Sequence, residues 1–131
     1  MIIYVETSAA AKLLGREAET DALMDALDGL ADDPEIHLVS SPILETELRR
    51  VAVRAELDQP SVTAILDRFE IVGLDRSVFT TAGTLPGRHL GSLDALHIAA
   101  ALKVDADLML TYDLRQIAAA EAAGLRTLSP A

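Results

Sequence analysis

Four acidic residues stand where a carboxylate can do chemistry. Glu6 closes the apolar run Ile2-Ile3-Tyr4-Val5, and Thr7 and Ser8 follow at once. Asp113 stands just past a second apolar run, in Leu108-Met109-Leu110-Thr111-Tyr112-Asp113. Asp94 opens Leu93-Asp94-Ala95-Leu96-His97-Ile98-Ala99-Ala100-Ala101-Leu102, a helix so apolar that it must be buried. A buried carboxylate is costly unless it is paired or holds a metal. Glu47 neighbours Leu44 and Val51 at helical spacing, on the inner side of an amphipathic helix. The neighbouring Glu45 points further outward.

Each acid also has an ordinary reading. Glu6 and Asp113 can simply cap the helices that follow them. Asp94 can be a first-turn acid favoured by the helix dipole. Glu47 can pair with Arg50 or Arg54. Together they make a stronger pattern, because two acids end separate strands and two more face inward from helices. An all-oxygen site suits Mg²⁺ or Mn²⁺ rather than Zn²⁺.

Other chemistries find less support. With no Cys there is no disulfide, thiolate site or cysteine nucleophile. The seven Gly are scattered and form no phosphate loop. No Ser–His–Asp arrangement is defensible. His37 and His89 show no ligand spacing. His97 lies one turn from Asp94 and could orient that carboxylate from behind; a lone His on an apolar helix reads rather as a satisfied core residue.

The elements that position the acids are legible from periodicity. Strands are expected at Ile2–Val5, Ile36–Val39, Ile71–Val72, Leu108–Leu110 and Leu125–Leu128. Helices are expected at Thr7–Leu14, Glu17–Leu30, Ser41–Leu57, Ser61–Phe69, Ser77–Ala82, Ser92–Val104 and Leu114–Ala123. Ser41 before Pro42 predicts an N-cap and a Pro at the first helical position, Pro60 marks the next start, Ser92 predicts a cap, and Gly124 predicts a C-terminal stop. Ala18, Leu23, Leu27 and Leu30 share one helical face. Alternating strands and helices imply an α/β fold with a mostly parallel sheet, in which ligands lie outside the carboxyl ends of the strands.

The chain of 131 residues is the size of one domain. Half of it is apolar and only 3% is aromatic, so the core must be aliphatic. A net charge of -10 argues against coating nucleic acid through a broad basic surface. It permits an enzyme whose bound cations return positive charge at the phosphate, and it suits a basic partner chain. No run has the length of a membrane span, and the start lacks the pattern of a signal peptide, so a soluble cytoplasmic protein is expected.

Four stretches, Ile3-Tyr4-Val5-Glu6-Thr7-Ser8-Ala9, Glu47-Leu48-Arg49-Arg50, Ser92-Leu93-Asp94-Ala95-Leu96-His97-Ile98-Ala99-Ala100-Ala101 and Leu110-Thr111-Tyr112-Asp113-Leu114-Arg115, resemble VapC-type toxins of the PIN-domain ribonuclease family. The resemblance spans essentially the whole chain in the family's order. One departure stands at position 6, where Glu replaces the usual Asp; Glu keeps the charge but is longer by a methylene.

The resemblance implies a three-layer fold, with a central mostly parallel sheet of five strands flanked by helices. It implies endonucleolytic cleavage of RNA, a VapB-like antitoxin that occupies the site, and a homodimer. Glu6, Asp94 and Asp113, with Glu47, are then the ligands of Mg²⁺ or Mn²⁺. Thr7, Ser8 and Thr111 hold metal waters or a phosphate oxygen, and Arg49, Arg50 and Arg115 contact phosphate or stay solvated at the surface. Leu23, Leu27 and Val53 either line a groove for an antitoxin helix or fill the core. Two alternatives are a catalytically silent PIN-like binding module and a response-regulator-like phosphoacceptor domain; the second lacks a tight acidic pair after the first strand and a suitable Lys.

Overall fold

In a computed structural model describing residues 1–131, the apolar run Ile2–Val5 forms the central strand β1 of a five-stranded sheet. The others are β2 (His37–Ser40), β3 (Glu70–Ile71), β4 (Leu108–Leu110) and β5 (Arg126–Leu128). Their order is β3-β2-β1-β4-β5, and all four pairings are parallel. The chain builds outward from β1 through β2 to β3, then returns to the far side of β1 for β4 and β5. The order therefore reverses between β1 and β4, where parallel sheets open a crevice at their carboxyl ends.

Seven helices cover the sheet: α1 (Thr7–Ala11), α2 (Thr20–Ala31), α3 (Pro42–Arg54), α4 (Gln59–Leu66), α5 (Arg76–Gly83), α6 (Ser92–Lys103) and α7 (Leu114–Ala122). The side-chain alternation of β1 divides the core in two. Ile3 and Val5 pack with Leu23 and Leu27 of α2, Leu44 and Leu48 of α3 and Val62 of α4. Tyr4 faces the other way, onto Val78 of α5, Ile98–Ala101 of α6 and Ala120 of α7. The expected three-layer α/β arrangement is thus present, with α1–α4 contributing to one core and α5–α7 to the other.

Several expectations need correction. The first helix ends at Ala11 and tightens into a 3-10 turn at Lys12–Leu14. The second begins at Thr20, so Ala18 lies outside it and is exposed. Leu23 and Leu27 are fully buried, which removes them from any docking groove; Val53 is exposed. The fourth helix starts at Gln59 because Asp58, whose carboxylate accepts the Ser61 amide, is its cap. Gly91, not Ser92, occupies the cap position of α6. Ser41 does sit at the cap of α3, but its hydroxyl makes no capping bond there. Gly124 ends the last helix with φ of 88°, a conformation glycine adopts without penalty.

Candidate active site

The four acids reach one region because each sits on an element that begins at the carboxyl edge of the sheet. Glu6 follows β1 and caps α1, accepting the Ser8 amide. Asp113 follows β4 and caps α7, accepting the amides of Arg115 and Gln116 through Oδ1. The capping roles readable for both acids are real. The Glu6 amide donates to the Leu110 carbonyl at 3.0 Å, which ties together the two strand ends. Asp94 lies in the first turn of α6, and Glu47 lies further along α3.

Glu6 is the most enclosed of the four, with 4% exposure. Burial of a carboxylate demands compensation. Here it comes only from neutral donors, all on Oε2: the Ser8 amide at 3.1 Å, the Ser8 hydroxyl at 2.5 Å and the Thr111 hydroxyl at 2.7 Å. No Lys, Arg or His forms an ion pair with it. The Ser8 oxygen in turn accepts the Tyr112 amide at 2.8 Å, so the β1 and β4 ends are cross-linked through this carboxylate.

Asp94 is half-buried, and its carboxyl is held above the usual carboxylate range. Burial is the main cause, followed by the charges of Asp113 and Glu6, with Glu47 adding to them. The other three acids thus bear on Asp94 and oppose its ionisation, with His97 acting partly against them. No three His, Asp or Glu side chains form a ready-made cage around a metal ion.

Glu47 belongs to a separate buried network. His97 Nε2 is 2.6 Å from Glu47 Oε1, and Nδ1 is 2.7 Å from the Tyr4 hydroxyl. That hydroxyl is 2.9 Å from Ser41 Oγ. Thr7 Oγ1 donates to the same Glu47 oxygen at 2.6 Å. An ionised carboxylate only accepts, so a neutral His97 must carry its proton on Nε2. Nδ1 then accepts from Tyr4, and Tyr4 accepts from Ser41. The chain runs one way, Ser41 to Tyr4 to His97 to Glu47, with no conflict. Burial pushes the Glu47 carboxyl up, but the His97 and Thr7 hydrogen bonds outweigh it and hold the group below its usual range. Burial also drives the Tyr4 phenol upward, which keeps it protonated as a donor.

His97 therefore orients Glu47, not Asp94, and Glu47 pairs with neither Arg50 nor Arg54. The backbone carbonyl of Asp94 is held instead by Gln116, fully buried on α7, whose Nε2 donates to it at 3.1 Å. Gln116 Oε1 has no partner.

The secondary residues divide. Thr7, Ser8 and Thr111 are at the site, but their hydroxyl protons go to Glu47 and Glu6. Arg49 does not reach the site: it pairs with Glu45 at 2.8 Å and bonds Gln59 and Thr63 on α4. Arg115 borders a cavity that also includes Asp94, and Arg50 borders one that includes Glu47. Tyr4, Ser41 and Gln116 were not expected at the site. Their sequence signal is a polar atom beside an apolar stretch, and for Ser41 a helix cap, neither of which names a partner.

The chain matches the PIN domain family over residues 3–122. It is 43% identical to Ribonuclease VapC35 of Mycobacterium tuberculosis, covering 98% of this chain and 97% of that protein. It is 36% identical to Ribonuclease VapC47 of the same organism over the same shares. Among solved structures, VapBC2 from Rickettsia felis, bound to a DNA fragment from its promoter, aligns over 100% of both chains with a TM-score of 0.81 and 19% identity. That last likeness concerns the fold.

Proposed function

The chain belongs to the PIN-domain family, and from that membership and the acidic site we propose that it is an endoribonuclease toxin restrained by a VapB-like antitoxin. Relatives that are ribonucleases across almost their full length support cleavage of RNA phosphodiester bonds. The fold it shares with a VapBC assembly supports the antitoxin partner. A homodimer and a cytoplasmic location fit such a role, and no helix is long and apolar enough to cross a membrane.

We further propose that activity depends on Mg²⁺ or Mn²⁺. The observation that carries this is the buried Glu6 carboxylate, compensated by neutral donors alone, beside an Asp94 whose ionisation is opposed by burial first and by neighbouring charge second. The donor set is oxygen only, which fits hard divalent cations. The lack of a three-residue cage is compatible with Mg²⁺, which keeps several waters and takes one or two carboxylates plus substrate phosphate. Glu6, Asp94 and Asp113 would hold the cation, with Glu47 completing the negative field. When bound, such a cation acidifies water and neutralises charge on the scissile phosphate.

The chain's own residues do the rest. Thr111 and Ser8 fix the Glu6 carboxylate, and Gln116 fixes the backbone at Asp94. His97 and Thr7 keep Glu47 ionised at the edge of the site, ready to orient a water by accepting its proton in a hydrogen bond. Arg115 stands beside Asp94 to meet phosphate oxygens. Cleavage of RNA should vanish in EDTA and return with Mn²⁺; cleavage that survives chelation would sink the metal dependence while leaving the ribonuclease reading intact.

A further inference from the structure

The eleven Lys and Arg side chains are not distributed at random among 21 acids. Lys12, Arg16, Arg49, Arg68 and Lys103 pair with a carboxylate. The remaining six are Arg50, Arg54, Arg76, Arg88, Arg115 and Arg126. Four of these six line two cavities, and each cavity contains one of the site acids.

The first cavity, of about 350 Å³, is bordered by Arg50 and Arg54 together with Thr7 and Glu47. The two arginines are four residues apart on α3, so they stand one above the other on one helix face. The second, of about 960 Å³, is bordered by Arg88, His89 and Arg115 together with Asp94. All four arginines are exposed. In so acidic a chain, an exposed Arg without a carboxylate partner remains available to an external anion.

We propose that the two clefts are the arms of one track for the sugar–phosphate backbone of single-stranded RNA, which passes over the acids from one arm to the other. The proposal rests on the ribonuclease reading and deepens it. Guanidinium groups match phosphate in a planar fork. One arm is lined mainly by α3 beside Glu47 and the other by the start of α6 and by α7 beside Asp94, so a strand lying in both extends past the scissile bond in both directions. Aromatic platforms for base stacking are missing from both arms, apart from the His89 ring. Binding is therefore led by phosphate contacts and is salt-dependent, with little contribution from stacking.

The test uses the full chain carrying Asp94→Asn, which blocks cleavage, with a fluorescently labelled single-stranded RNA oligonucleotide in Mg²⁺. Its affinity is followed by anisotropy across a salt series. Four phosphate contacts predict a log–log salt slope of about -3, at roughly 0.7 per contact on a single strand. The Arg50→Gln/Arg54→Gln and Arg88→Gln/Arg115→Gln pairs should each reduce that slope by about 1.4 and weaken binding by about tenfold. Arg76→Gln/Arg126→Gln removes two unpaired arginines away from the clefts and should bind like the parent.

The track is overturned if the parent does not bind the RNA, if the cleft pairs bind like the parent, or if Arg76→Gln/Arg126→Gln weakens binding equally. It is also overturned if poly-glutamate occupies the clefts more tightly than RNA, which would make them a protein-docking surface. Cleavage is measured separately with Asp94 intact. A native chain that binds RNA through the clefts but never cuts it contradicts the ribonuclease reading and leaves the track standing. A chain that cuts RNA while ignoring the clefts contradicts the track alone.

Discussion

His97, fully buried on α6, presents Nε2 to Glu47 Oε1 on α3 at 2.6 Å. The contact couples the helices of the two core layers across the carboxyl edge of the sheet. It also transfers to Glu47 the orientation set by Tyr4 on the central strand.

Removing either partner should have different consequences. His97→Ala removes one of two hydrogen bonds from Glu47, which keeps Thr7, and takes from the buried Tyr4 hydroxyl the acceptor of its proton, at about 1–3 kcal/mol for that group. It should lower both the melting temperature and the cleavage rate. Glu47→Gln keeps an oxygen for Nε2 to meet, so it should fold well and lose activity. The depressed Glu47 carboxyl adds stability above its unfolded pKa, and this is lost as pH falls through the lower folded value. Thermal melts across the acid range should therefore show a shallower loss for Glu47→Gln than for the native protein.

Asp94 has the opposite sign. Burial first, then Asp113 and Glu6, raise its carboxyl in the folded state. Ionised Asp94 therefore costs stability at neutral pH, and that cost disappears as pH falls through the raised value. In EDTA, Asp94→Asn should melt at a higher temperature than the native chain while losing cleavage. A clear drop in melting temperature would assign Asp94 a structural role instead.

At position 6 the charge is expected to matter more than the length. Glu6→Gln retains an oxygen for Ser8 and Thr111 but removes the negative charge, so cleavage should be abolished with the fold intact. Glu6→Asp should retain a measurable fraction of activity. Thr111→Val removes a hydrogen bond to a charged group, worth about 1.5–3 kcal/mol, and should lower both stability and rate. Full cleavage by Glu6→Gln would remove Glu6 from the site.

The antitoxin should neutralise the acids with a basic side chain, and Arg suits this better than Lys because it meets carboxylates bidentately. Replacing that Arg with Ala should restore RNA cleavage more than it weakens the complex. A tight complex that leaves cleavage at the free-toxin rate would contradict an inserted Arg. Val53, exposed on α3, remains available for an apolar contact; Leu23 and Leu27 are not.

The sequence by itself determined the elements and the acids. A run such as Ile2–Val5 and the Ala-rich helix after Ser92 are governed by short-range periodicity, and Glu6 and Asp113 announce themselves by following apolar runs. Position 6 was legible as a departure only against the family that the four stretches resemble. The start of α4 shifted by two residues because Asp58 is its cap, while α6 begins at Ser92 as expected with Gly91 as its cap.

Only the tertiary structure decided the partners. His97 lies three residues from Asp94 in sequence, yet it bonds Glu47 and Tyr4, 50 and 93 residues away. Helix packing turns its ring toward the sheet and α3. The three arginines considered for phosphate separated in the same way. Arg49 is captured by Glu45 one turn back, while Arg50 faces the cavity beside Glu47 and Arg115 the one beside Asp94. Residue type and spacing state which groups need a partner; which partner is within reach depends on how the layers pack around the strand ends.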